Sequence, residues 1–237
     1  MSFAHIYHIA KREFLASFHA PVAYILLVLY VVISAYFFTG GLFDSGEASL
    51  RSFFSIMPVV FLVIIPGVAM RLLAEERKSG TLELLVTLPV RDMEIVLGKF
   101  AAALAFLVAI LISSLVFPLT VAWLGNPDWG PIIGGYLALL FLGGTFLSIG
   151  LFASSLTRNQ VVALVISFVI SLILLVIAGS ASYIPGFLGS FLEQLSLSTH
   201  FNNIARGVLD TRDVIYYLST MVFFLALTAQ SLAARKQ

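Results

Sequence analysis

The sequence predicts an all-α integral membrane protein with six transmembrane helices. Of its 237 residues, 60% are hydrophobic and 11% charged, whereas about a quarter of a soluble domain is charged. Those few charges leave six windows free of Asp, Glu, Lys and Arg: 14–43, 52–70, 100–127, 129–157, 159–192 and 214–234. A spanning helix needs roughly 20 such residues, and even the shortest window, 52–70, comes close to that. The runs are continuously apolar, as over Val161–Ile177, and do not alternate as barrel strands do. They must be helices, because lipid satisfies no backbone donor or acceptor. A net charge of +1 without a basic patch argues against nucleic acid as a partner. The absence of Cys removes disulfides and thiolate metal sites.

The whole chain, 1–237, reads as one transmembrane domain. Residues 1–20 precede the first span as an amphipathic helix. Phe3, Ile6, Tyr7, Ala10, Phe14 and Phe18 share one face, with His5, His8, Arg12 and Glu13 opposite. Such a helix lies in the membrane interface. His5 and His8 have the i, i+3 spacing of metal ligands, but two imidazoles without a third ligand make a weak site. The spans are predicted near 21–41, 54–73, 97–123, 132–156, 160–180 and 213–233. No cleaved signal peptide is evident, so the first span reads as a retained anchor. Pro58 and Pro66 in the second span, and Pro118 in the third, are either tolerated kinks or hinges. In the fourth, Gly144-x-x-x-Ser148 and Gly150-x-x-x-Ser154 have the spacing that lets helices approach closely, within the bundle or at a dimer seam.

Charge orients the model. Ten of the 13 Lys and Arg residues fall on the side of both termini, including Arg71, Arg77, Lys78, Arg91, Lys99 and Arg158. Three, Arg51, Arg206 and Arg212, fall on the other side. Positive residues favour the cytoplasm, so both termini are expected there. Trp123 and Trp129 flank the loop between spans three and four, at the headgroup level indoles prefer.

Two segments are more than loops. The cytoplasmic segment 71–99 is the most charged part of the chain. Within it Ser79, Gly80 and Thr81 read as a helix start, Glu83 sits in the first turn, and Pro89 ends the helix. The predicted helix is about two turns, roughly 12 Å long. Leu82, Leu85 and Val86 form one apolar stripe and Leu84 and Leu88 another. One stripe rests on the spans, and the other seeks a protein partner or the lipid surface. The outer segment 181–212 turns at Tyr183–Gly186 and is too polar to span yet too apolar for open water. It fits a re-entrant or interfacial helix pair. Asp213 is expected to cap the last span. Glu193, Arg206, Asp210 and Arg212 are either solvated or form a mouth.

No ionisable group lies in the central part of a predicted span, unlike most proton-coupled transporters. The chain has no P-loop, no His-Glu-x-x-His and no Gly-x-Ser-x-Gly. Catalysis by this chain is not expected.

The block Glu75-Glu-Arg-Lys-Ser-Gly-Thr-Leu-Glu-Leu-Leu-Val-Thr-Leu-Pro89, followed by Gly98-Lys99, resembles the cytoplasmic loop of ABC-2 type permeases, the membrane subunits of ABC exporters. The stretch Arg12–Pro21 is similar to that family's connecting helix. Thr199–Val214 resembles the branch of gliding-motility-associated and nitrous-oxide-reductase-maturation permeases. The resemblance implies that the short helix is a coupling helix docking on a separate ATPase subunit. It assigns the contact to Ser79, Gly80, Thr81, Leu82, Glu83, Leu85, Val86 and Leu88, with Glu75 and Glu76 leading in. A second contact falls on Arg158, in the turn Thr157–Gln160. It further implies a second permease copy, a pathway along spans one, two and five, and an auxiliary subunit. ATP and magnesium would be bound by the ATPase, with no cofactor in this chain. The bacterial inner membrane would be the location. A non-transporting membrane anchor for a cytoplasmic protein is the alternative.

Overall fold

The computed structural model describes residues 3–45, 49–80, 91–181 and 186–234. Their helices are α1 (Phe3–His19), α2 (Pro21–Ser45), α3 (Arg51–Ala69), α4 (Arg71–Ser79), α5 (Asp92–Ser113), α6 (Val116–Leu124), α7 (Trp129–Leu156), α8 (Gln160–Ala181), α9 (Phe187–Gln194), α10 (Leu197–Ala205) and α11 (Thr211–Ala233). No strand occurs among the described residues. Six units are long and apolar enough to cross a membrane: α2, α3 with α4, α5 with α6, α7, α8 and α11. They correspond one to one with the predicted spans. The second and third start earlier than expected, at Arg51 and Asp92, because the helices carry charged residues beyond their apolar windows.

The fourth span, α7, is the central post. Of its most apolar stretch, 78% is buried, against 22% for α2 and for α8. Its small residues explain this. The methionine of α11, Met221, reaches the site a Cβ of Gly144 would occupy, with Sδ 3.2 Å away. A Cβ at Gly150 would overlap that of Ala69 in α3. The stripe of small residues therefore packs inside the bundle.

Pro118 breaks the third span. It lacks the N–H that would bond the Ser114 carbonyl four residues back. That carbonyl accepts the Phe117 N–H at 3.0 Å and, as a second donor, the Tyr136 hydroxyl of α7 at 2.9 Å. The Ser114 hydroxyl accepts from Tyr30 of α2 at 3.0 Å. One polar node thus joins three spans. Pro58 and Pro66, in contrast, both lie inside the continuous helix α3.

The segment before the last span forms the expected helix pair, α9 and α10. Leu197, Phe201 and Ile204 form the buried stripe of α10. The cap of α11 differs from expectation. Asp210 accepts from the Arg212 N–H at 2.9 Å, because the helix starts at Thr211. Asp213 is instead buried in the first turn and meets His200 Nδ1 at 2.5 Å. His200 Nε2 faces the Gln194 carbonyl at 2.9 Å. Both ring nitrogens of His200 thus face oxygen atoms. Tyr217 adds a bond to the Leu197 carbonyl at 2.9 Å. The turn expected at Tyr183–Gly186 lies outside the described residues except for Gly186, which has φ +89°. Glu193, Arg206, Asp210 and Arg212 are exposed.

Candidate functional site

The charged segment gathers at the end of the bundle that carries α1. The second span does not stop at the apolar window. It continues after Met70 as α4, and the joint has a specific cause. In an unbroken helix the Ala74 N–H would bond the Met70 carbonyl. Here Ser154 of α7 inserts its hydroxyl between them. It donates to the Met70 carbonyl at 3.0 Å and accepts from the Ala74 N–H at 2.8 Å and the Leu73 N–H at 3.0 Å. A side chain in the helical ladder is a recognised cause of a kink. Gly150, one turn before Ser154, permits the close approach. The Arg77 guanidinium donates to the Ser155 carbonyl and ties the end of α4 to the same helix.

Lys99 is the second fixed point. It lies in α5 with its side chain only 1% exposed. Its ammonium meets Glu76 of α4 at 2.7 Å and Glu13 of α1 at 3.2 Å. A buried ammonium needs such partners. The pair Glu76–Lys99 closes the base of the segment between α4 and α5. Arg71 and Glu75 form an i, i+4 pair at 2.9 Å on the exposed side of α4. Glu94 takes the Arg91 N–H at 3.4 Å and meets His5 Nδ1 at 3.2 Å. His5 thereby joins a carboxylate of α5. Among the described residues, no group of three or more His, Cys, Asp and Glu is placed to hold a metal.

The helix α1 packs across α5 at Gly98, where Ile9 Cγ2 lies 2.7 Å from the position a Cβ would take. Ile9 is therefore a contact residue. Glu13 and His5 share its side of the helix, while Phe3 and Tyr7 are exposed. Phe18 continues the contact further along, 5.6 Å ring to ring from Phe106. A cavity of about 300 Å³ beside Lys99 is lined by Glu13, Leu26, Arg71, Glu76 and Phe106 among others.

Of the residues expected to face a partner, Glu75 is exposed and Glu76 is drawn inward by Lys99. Ser79 is the last residue of α4. Gly80 adopts the left-handed conformation, φ +73°. Ser79 and Gly80 therefore end a helix, where the sequence suggested a helix start. Glycine is the usual residue in that position because it has no Cβ to clash. Thr81, Leu82, Glu83, Leu85, Val86 and Leu88 lie outside the described residues. Arg158 is exposed in the turn between α7 and α8. That turn is shaped by Thr157 Oγ1 accepting the Asn159 N–H at 3.1 Å and Asn159 Oδ1 accepting the Val161 N–H at 2.9 Å. Lys99, Ser154 and Glu13 do not stand out as site residues in the sequence. Gly98-Lys99, adjoining the charged segment, was the one available signal.

A family model described as ABC-2 family transporter protein matches residues 7–234. No curated protein matches the chain.

Proposed function

The chain belongs to the ABC-2 transporter family, and from that membership we propose that it is the permease subunit of an ATP-driven exporter. Permeases of this family generally pair with a cytoplasmic ATP-binding subunit. In this reading that subunit binds ATP and magnesium, and this chain supplies the path through the membrane. The end with α1 faces the cytoplasm, in keeping with its excess of Lys and Arg. In this reading the segment 81–88 docks on the ATPase, with Glu75 and Glu76 leading in and a second contact at Arg158.

The observation that carries the coupling role is the ion pair Glu76–Lys99, 2.7 Å long and buried on the lysine side. It joins the two helices that enter and leave the docking segment. A push on that segment is then delivered to spans two and three together. Ser154 links the same elbow to the central post α7. Closure of the ATPase dimer would move this assembly as a rigid body and open the path at the far end. Two copies form the transmembrane unit, and the largely uncovered faces of α2 and α8 are the surfaces available for it.

The test is Leu85→Asp. The variant should remain folded in the membrane and lose stimulation of ATP hydrolysis by substrate in the reconstituted complex. Full stimulation in that variant would remove the segment from the mechanism.

A further inference from the structure

The end of the bundle opposite α1 holds a cleft of about 750 Å³. Arg51, from the start of α3, and Arg206, from the end of α10, both line it. Both are exposed, and neither forms an ion pair among the described residues. Asn126 and Asn202 add amide donors. Asp128 is the one described carboxylate on the wall, and one of its oxygens accepts the Gly130 N–H at 3.1 Å. Phe54 and Phe201, both buried, give the cleft an apolar lining. Leu50 gives the start of α3 no side-chain cap, and the Arg51 N–H there meets the Ser49 hydroxyl at 3.2 Å; the positive end of the helix adds to the field.

The wall is built to hold its shape. Gly207 has φ +86° and follows Arg206 directly. A Cβ there would stand 2.8 Å from the Gly130 carbonyl carbon. Backbone therefore packs on backbone where α10 meets α7, and this fixes Arg206 beside the loop that carries Asn126 and Asp128.

Depth identifies the ligand. Asn126 and Asp128 lie between Trp123 and Trp129, whose side chains are 88% and 50% exposed. Indoles in that setting sit at the headgroup level of a bilayer. Two guanidiniums and two amides over an apolar lining at that depth suit a phosphate anion attached to a hydrocarbon tail. We infer that this cleft is a binding site for the phosphate group of an acidic phospholipid. It is a site within one chain and does not depend on ATP coupling or on a second copy.

The experiment titrates the purified full-length chain in detergent with phosphatidylglycerol or phosphatidylcholine and reads bound lipid by native mass spectrometry. Phosphatidylglycerol should bind more tightly, and Arg51→Gln with Arg206→Gln should weaken it about tenfold. Arg212→Gln removes an exposed charge on the same side that does not line the cleft, and should leave the affinity unchanged. Asp128→Asn keeps the cap of α7 and removes the opposing charge, so it should tighten binding. A merely structural role for the cleft would not produce a gain. Displacement of the lipid by inorganic phosphate would show that the cleft takes the same anion in free form. Retention against phosphate would show that the tail contributes. Equal affinity for the two lipids, or undiminished phosphatidylglycerol binding in the double arginine variant, would overturn the site.

Discussion

Lys99 is the residue on which the charged end of the molecule turns. With 1% of its side chain exposed, its ammonium depends on Glu13 and Glu76 for solvation. Removing one member of such a buried cluster strands the others, at a cost of about 3–5 kcal/mol. Lys99→Met should therefore lower the thermal unfolding midpoint of the purified protein sharply. Adding Glu13→Gln and Glu76→Gln to that variant should restore most of the loss, since neutral replacement of a whole ion cluster is often well tolerated. A Lys99→Met protein as stable as the parent would show that water already reaches the site. The sequence marks Lys99 only by its place after Gly98 at the end of the charged segment. Its partners stand on helices distant in the chain, and no local pattern announces a tertiary ion pair. Asp210 and Asp213 pose a similar difficulty. Either suits a helix start, and which of them caps depends on where the helix begins. In the structure the helix begins at Thr211, so Asp210 caps it and Asp213, in the first turn, meets His200.

Among the elements, the joint between α3 and α4 is held by a hydroxyl from a different span. Ser154→Ala would leave the Leu73 and Ala74 N–H groups without that acceptor, costing about 1–2 kcal/mol. Amide hydrogen exchange over 71–79 should quicken in the variant, with the rest of the bundle unchanged. Exchange at the parent rate would mean that α4 re-forms its own ladder across Met70. In the sequence, Ser154 counted only as a small residue at packing distance from Gly150. Small size and hydrogen bonding are both open to a serine, and only the facing helix decides between them. Gly80 carries a related ambiguity, and Thr81 after it lies outside the described residues. Serine, glycine and threonine in a row suit a helix start, yet the left-handed φ of Gly80 closes a helix already running. The spans themselves were fully legible, because the absence of charge over some twenty residues is a property of the chain alone.

At the scale of the whole molecule, burial is unequal. The post α7 is mostly enclosed, while α2 and α8 leave most of their surface uncovered. If α8 faces a second copy across a moving pathway, its separation from its counterpart must change with nucleotide. The chain contains no Cys, so Ile173→Cys, at a position 56% exposed on α8, accepts a single spin label. In the complex with its ATPase, the label-to-label distance should shift by about 5 Å on adding ATP. A distance that ignores nucleotide would favour the anchor reading over the exporter.

The polar node around Ser114 bears on how such a bundle finds one arrangement. Contacts between apolar helices are weakly directional, and in lipid there is little hydrophobic force to choose among sliding alternatives. Pro118 withholds one donor, so the Ser114 carbonyl, which takes the Phe117 N–H, keeps room for a second donor at a single depth. Tyr136 meets that acceptor, and Tyr30 meets the hydroxyl of the same serine. A slip of any of the three helices by one residue along its axis would part these bonds in a medium that offers no substitute. The proline thus does more than bend its helix. It sets the axial and rotational register of three spans, and the tyrosines read that setting.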